Sequence, residues 1–159
     1  MTTKTDLKAL TTLRSAELTH DMDSGHLRKL ASIVRVVEFE ANEVIYLRGD
    51  KGKAVYLIEA GEVVIETDVP GQNPILLNRL GPGQFFGWSS LFLPKRKLFS
   101  TQATMLTRAI AFNASQVRSA CQVDHALEYT IVRRAGQDTA NRIKATRRQL
   151  AVMLTPVIG

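Results

Sequence analysis

The chain is poor in the residues on which catalytic and metal chemistry most often rests. It has one cysteine, one tryptophan, three histidines and 6% aromatic residues in 159. A lone Cys121 cannot close an internal disulfide, which suits a reducing, cytoplasmic setting. It falls on an apolar helical stretch and reads as small packing rather than a reactive thiol. His20, His26 and His125 are far apart in sequence and fall in helical or loop segments. They are expected at the surface or at helix caps, so no metal centre is expected. Long apolar runs are also missing. Stretches such as Ile75-Leu76-Leu77 are soon interrupted, which excludes a membrane-spanning helix, and Met1 to Lys8 contains no apolar core of a signal peptide.

What is present describes an ordinary globular chain, with 45% hydrophobic and 23% charged residues over a length that suits one domain. Twenty-one Lys and Arg against 15 Asp and Glu give a net charge of +6, which favours anionic partners without naming one. Much of the excess, Arg133, Arg134, Arg142, Lys144, Arg147 and Arg148, is expected to form the solvated face of a long helix.

Residues 4 to about 34 have helical spacing: Leu7, Leu10 and Leu13, a polar break at His20–Gly25, then Leu27, Leu30, Ala31 and Val34 behind a Ser24 cap. Short strands follow from Val36: Val37–Glu40, Glu43–Leu47, Ala54–Glu59, Glu62–Thr67, Ile75–Leu80, Gln102–Leu106 and Arg108–Phe112, with turn residues between most of them. This spacing predicts an antiparallel sandwich or closed roll. Ser115 is expected to cap a helix of about two turns, and a longer helix runs from about Asp124 to Leu154, stopped by Pro156. Along it Val132, Ala135, Thr139, Ile143, Thr146, Leu150 and Met153 form a narrow seam for a partner helix from the same chain or from a second copy, so a homodimer is expected. The expected organisation is a helical cap at 1–34, a β-region at 35–113 and C-terminal helices at 114–159, within one domain.

One stretch, Gly81 to Thr101, lies among the strands but does not alternate. Gly81, Gly83 and Gly87 permit tight turns and close backbone approach. Trp88, Ser89, Ser90, Leu91 and Phe92 suit a single helical turn ended by Pro94, and Lys95, Arg96 and Lys97 follow at once. Backbone N–H groups beside three cations predict an anion pocket.

Glu43-Val-Ile-Tyr-Leu-Arg-Gly-Asp50, Val55-Tyr-Leu-Ile-Glu-Ala-Gly-Glu-Val63 and Leu80-Gly-Pro-Gly-Gln-Phe-Phe-Gly87 resemble, in family order, three segments of the cyclic nucleotide-binding domain found in catabolite activators, kinase regulatory subunits and gated channels. The resemblance covers about residues 10–150. It implies an α+β fold: an antiparallel β-roll, jelly-roll-like or a double-stranded β-helix, flanked by N-terminal helices and a long C-terminal helix. A phosphate-binding cassette is implied at 83–104. It also implies a regulatory, non-enzymatic module in which ligand binding shifts the C-terminal helix.

Three positions depart from the family pattern. Asn42 stands where a glycine is usual, Trp88 replaces a glutamate that accepts from the ribose 2′-hydroxyl, and Lys95-Arg96-Lys97 replaces the arginine segment that pairs with the cyclic phosphate. The ligand is therefore expected to be cAMP, cGMP or another small anion. Gly87, Ser89 and Ser90 offer donors and Arg96 or Lys97 the countercharge, while Trp88 either stacks on a ring or fills the pocket, and Ser100 and Thr101 complete the candidate site. Two alternatives stand beside this reading: a non-binding interaction module with an unknown protein partner, and the sensor part of a transcription regulator. DNA contact is not expected, because no helix-turn-helix follows the long helix. Gly87-Trp-Ser-Ser-Leu91 lacks the second glycine of a hydrolase nucleophile elbow, and Pro82 and the glycine spacing exclude a dinucleotide-binding fingerprint.

Overall fold

A computed structural model describes residues 3–92 and 96–154. Pro94, Lys95 and Pro156, and the side chains of Leu150 and Met153, lie outside the described residues.

Two helices, α1 (Lys4–Ser15) and α2 (Ser24–Ala31), precede eight strands: β1 (Val34–Phe39), β2 (Val44–Tyr46), β3 (Ala54–Ala60), β4 (Val63–Thr67), β5 (Ile75–Leu80), β6 (Phe85–Phe86), β7 (Ser100–Ala103) and β8 (Thr107–Asn113). A short 3-10 helix, Trp88–Leu91, interrupts the strands, and α3 (Ala114–Val123) and α4 (His125–Leu154) close the chain. The strands form two antiparallel four-stranded sheets, ordered β1-β8-β3-β6 and β2-β7-β4-β5. This is the β-roll flanked by helices.

Alternation along β3 explains the layering. Val55 and Leu57 face a core shared with Leu13, Leu27, Ile110, Phe112, Leu127 and Ile131, which seats all four helices. Ile58 faces the interior of the roll with Val63, Ile65, Leu80 and Phe86. Consecutive residues Phe85 and Phe86 divide between the two cores in the same way. At Asn42 the backbone has φ 70, a left-handed conformation that asparagine tolerates better than most residues, which accounts for its place at a glycine position.

Several boundaries differ from the sequence expectations. Asp23 rather than Ser24 caps α2, accepting from the Gly25 and His26 N–H groups. Asn113 rather than Ser115 caps α3. Val34 opens β1 opposite Phe112 instead of ending a helix, because α2 closes at Ser32 and a run of β-branched residues follows. The strand expected at 102–106 lies at Ser100–Ala103. Its pairing with β4 ends where Thr104 turns to bond the Glu62 carbonyl.

The α4 seam also divides. Its inward face is Leu127, Ile131 and Ala135, continued by half-buried Asp138, Arg142 and Thr146. Val132 and Ile143 are 51% and 54% exposed, so the apolar stripe does not all turn toward the body of the domain. Arg134 fixes the first half of the helix by donating to the Leu18 carbonyl and to Asp21.

Candidate functional site

The cassette begins at Gly87, where φ is +91 and an added Cβ would lie 2.8 Å from the Ala54 carbonyl oxygen. Only glycine makes that approach without strain. The 3-10 helix that follows is held from three sides. Ser90 Oγ donates to the Ala54 carbonyl at 2.9 Å, and Arg118 donates from α3 to the Ser90 carbonyl at 2.7 Å. Gly52 lies so close that a Cβ there would come within 2.6 Å of Ser90 Oγ.

Beyond the 3-10 helix, Arg96 and Lys97 point to opposite sides, as neighbours in extended backbone do. The Arg96 guanidinium is exposed and donates to the Gly49 carbonyl at 2.9 Å. Lys97 is 4% exposed. Its ammonium donates to Ser90 Oγ at 2.7 Å and to Ser89 Oγ and the Gly87 carbonyl at 3.2 Å, and lies 4.4 Å from the centroid of the Tyr46 ring. The main chain sets this depth: Lys97 N–H bonds the Asp50 carbonyl and its own carbonyl accepts from Gly49 N–H. No carboxylate among the described residues pairs with the ammonium. Burial lowers its pKa to about 8. Burial also raises Tyr46 to about 12, with the Thr101 hydroxyl pulling the other way.

Lys97 faces a cavity of about 480 Å³. The roll contributes Tyr46, Ile65, Leu77 and Asn78; the cassette contributes Gly87, Trp88, Ser89, Lys97, Leu98 and Phe99. Helix α4 lies across it with Thr139, Arg142, Ile143, Thr146 and Arg147. A second chamber of about 340 Å³ also reaches Lys97 and Tyr46, and its lining includes Asp50, Lys51 and Lys53.

Trp88 forms part of the wall and leaves the cavity open. Its ring stacks on Phe85, with centroids 5.2 Å apart, and Nε1 donates to Asp138 Oδ2 on α4 at 2.6 Å. The same oxygen accepts from Arg142 at 2.8 Å. Burial lowers the Arg142 pKa, opposed by the Asp138 charge.

Of the residues expected at the site, Gly87, Trp88, Ser89 and Lys97 line the cavity together, and Ser90 supports Lys97 from beneath. Arg96 does not line it. Ser100 accepts from the Arg48 N–H, and Thr101 is fully buried in β7. Sequence reasoning missed Tyr46, Arg142 and Arg147. The two arginines carry no motif within the expected solvated face; the four-residue spacing of Asp138 and Arg142, which pairs them on one helix face, is the only signal, and it reaches Arg142 alone. Among the described residues no group of three or more His, Cys, Asp or Glu is placed to hold a metal ion, and no helix is long and apolar enough to cross a membrane.

Comparison with known proteins agrees with this architecture. The chain is 25% identical over 107 residues to a CRP-like cAMP-activated global transcriptional regulator of Mycobacterium tuberculosis, covering 67% of this chain and 48% of that protein. It thus spans about half the length of this relative. Among solved structures, a cyclic nucleotide-binding domain from Methylobacillus flagellatus superposes with a TM-score of 0.78 at 19% identity, over 97% of this chain and 85% of that one. The regulatory domain of Toxoplasma gondii PKA, crystallised with cAMP, gives a TM-score of 0.72 at 20% identity, over 84% of this chain and 51% of that one. At such identities these structures agree in fold. The family model for the cyclic nucleotide-binding domain matches residues 36–124, from the third residue of β1 through α3, and the chain belongs to that family.

Proposed function

We propose that this domain is a non-catalytic sensor whose cavity takes a small organic anion, cAMP or cGMP being the first candidates, and that α4 carries the response. The observation that supports this most is Lys97: a buried ammonium, unpaired by any described carboxylate, at the wall of an open cavity. Burying a charge without an opposite partner is costly, and an incoming anion removes that cost. Two serine hydroxyls orient the ammonium, and Arg142 and Arg147 add positive charge from the facing helix. A lysine cannot make the bidentate phosphate contact of an arginine, so Lys97 acts as a point charge.

The route to α4 is short. A ligand touching Lys97 and Arg142 together bears on the Trp88–Asp138–Arg142 chain of hydrogen bonds. The first half of α4 is packed into the helical core, while the second half rests over the cavity through polar contacts. Occupancy shifts that half by whatever difference in contact it offers between two positions. The exposed Val132, which does not line the cavity, offers an apolar contact for a second copy of the chain. A cytoplasmic setting fits the single, buried Cys121.

The open cavity argues against a purely structural module, which would have Trp88 filling the space. The test uses that tryptophan, the only one in the chain. Titration with cAMP and cGMP is expected to change Trp88 fluorescence saturably and to raise the melting temperature. No change in either up to about 1 mM ligand, where binding free energy is near 4 kcal/mol, would reject cyclic nucleotides.

A further inference from the structure

Among the described residues lining the 480 Å³ cavity, every polar side chain is a cation, a hydroxyl, an amide or the indole N–H. None is a carboxylate. The nearby acid, Asp138, has Oδ2 committed to both Trp88 and Arg142. The remaining wall is apolar: Ile65 and Leu77 from the roll, Ile143 from α4, and Leu98 and Phe99 directly after Lys97. Leu98 and Phe99 are 63% and 42% exposed, so apolar surface lies open beside the buried ammonium.

A ligand hydroxyl entering this space finds no ionic acceptor. Its bonds would be to neutral hydroxyls or amides, which are weaker than bonds to a charged group and replace equally good bonds to water. An anionic group, by contrast, meets Lys97, and a flat or apolar body buries Leu98, Phe99 and Ile143. Resting on the anion-sensing function proposed above, we infer that the cavity recognises an organic anion by its charge and its apolar body and does not read sugar hydroxyls. The ligand class is therefore wider than nucleotides and includes hydroxyl-free aromatic phosphates.

Calorimetric titration of the full chain with cAMP, 2′-deoxy-cAMP and 1-naphthyl phosphate tests this. The two nucleotides are expected to bind within about twofold of each other, because a hydroxyl bonded only to neutral groups gains little over water. Binding of 1-naphthyl phosphate is expected to saturate and to weaken by about tenfold or more in Lys97→Met, the scale of one charge-assisted hydrogen bond. Saturation by 1-naphthyl phosphate without response to either nucleotide also supports the inference. Binding of cAMP with a loss of about tenfold or more for the deoxy analogue, the sign of a hydroxyl bonded to a charged acceptor, overturns it and leaves anion sensing in place. So does binding of cAMP with no saturation by 1-naphthyl phosphate. No binding of any of the three overturns the proposed function as well. The wild-type comparison needs no variant, so the outcome does not depend on how Lys97→Met folds.

Discussion

The Lys97 ammonium lies 2.7 Å from the Ser90 hydroxyl, and that hydroxyl in turn donates to the Ala54 carbonyl at 2.9 Å. One fully buried serine therefore fixes both the cassette against β3 and the position of the cation that faces the cavity. Ser90→Ala is expected to leave Lys97 without its shortest contact and to cost about 1.5–3 kcal/mol of stability, the usual range for a hydrogen bond to a charged group. Chemical denaturation measures the loss, and a variant as stable as wild type would show that the contact is not maintained in solution.

Lys97 also predicts a pH dependence. Its folded pKa, about 8, lies below the ordinary 10.5, so between these values the unfolded chain binds more protons than the folded one. Stability conferred through this group therefore rises with pH across that window, and the cost of its buried charge is fully present below about pH 8. In Lys97→Met this dependence is gone. The melting temperature of the variant minus that of wild type is expected to fall from pH 7 to pH 10; a difference that does not vary with pH would mean that Lys97 titrates normally.

Two glycines should respond oppositely to alanine. At Gly52 the new Cβ would meet Ser90 Cα at 2.8 Å and displace the cassette. Gly52→Ala is expected to destabilise by about 1–3 kcal/mol, as overpacking does. Gly136 is exposed on α4 with open space around it, and Gly136→Ala is expected to stabilise by about 0.5–1 kcal/mol through helix propensity. Thermal melts of both variants check the pair.

Trp88→Phe keeps an aromatic ring against Phe85 and removes the bond to Asp138. Hydrogen exchange is expected to speed up in α4 beyond Asp138 while the half anchored by Leu127, Ile131 and Arg134 stays protected. Uniform exchange along the helix in wild type and variant alike would rule out Trp88 as the link.

The roll was legible in the sequence because short alternating strands between turn residues have few other solutions, and the glycine spacing at Gly81–Gly87 carried the family resemblance. The depth of the cation was not. Arg96 and Lys97 are adjacent basic residues, and which one turns inward is decided by main-chain bonds from Lys97 to Gly49 and Asp50, almost fifty positions earlier. The same holds for α4. A stripe of Val132, Ala135, Thr139 and Ile143 is apolar enough to suggest a seam, but burial follows Leu127, Ile131, Ala135 and the polar Asp138–Arg142 pair. That pair is inward because Asp138 bonds Trp88 while Arg142 lines the cavity, a relationship fifty residues long that periodicity does not register. Caps shifted by one or two residues, at Asp23 and Asn113, reflect local competition among several good capping side chains.

The measurement that tests the central claim most directly is calorimetric titration of cAMP into three proteins: wild type, Lys97→Met and Arg96→Ala, each shown to be folded by its melt. The account predicts that Lys97→Met weakens binding by about tenfold or more, the loss of one charge-assisted contact, while Arg96→Ala stays within about twofold of wild type. Binding that survives in Lys97→Met and fails in Arg96→Ala would contradict it, and would place the anion on the outer face of the chain, beside Gly49, instead of in the cavity.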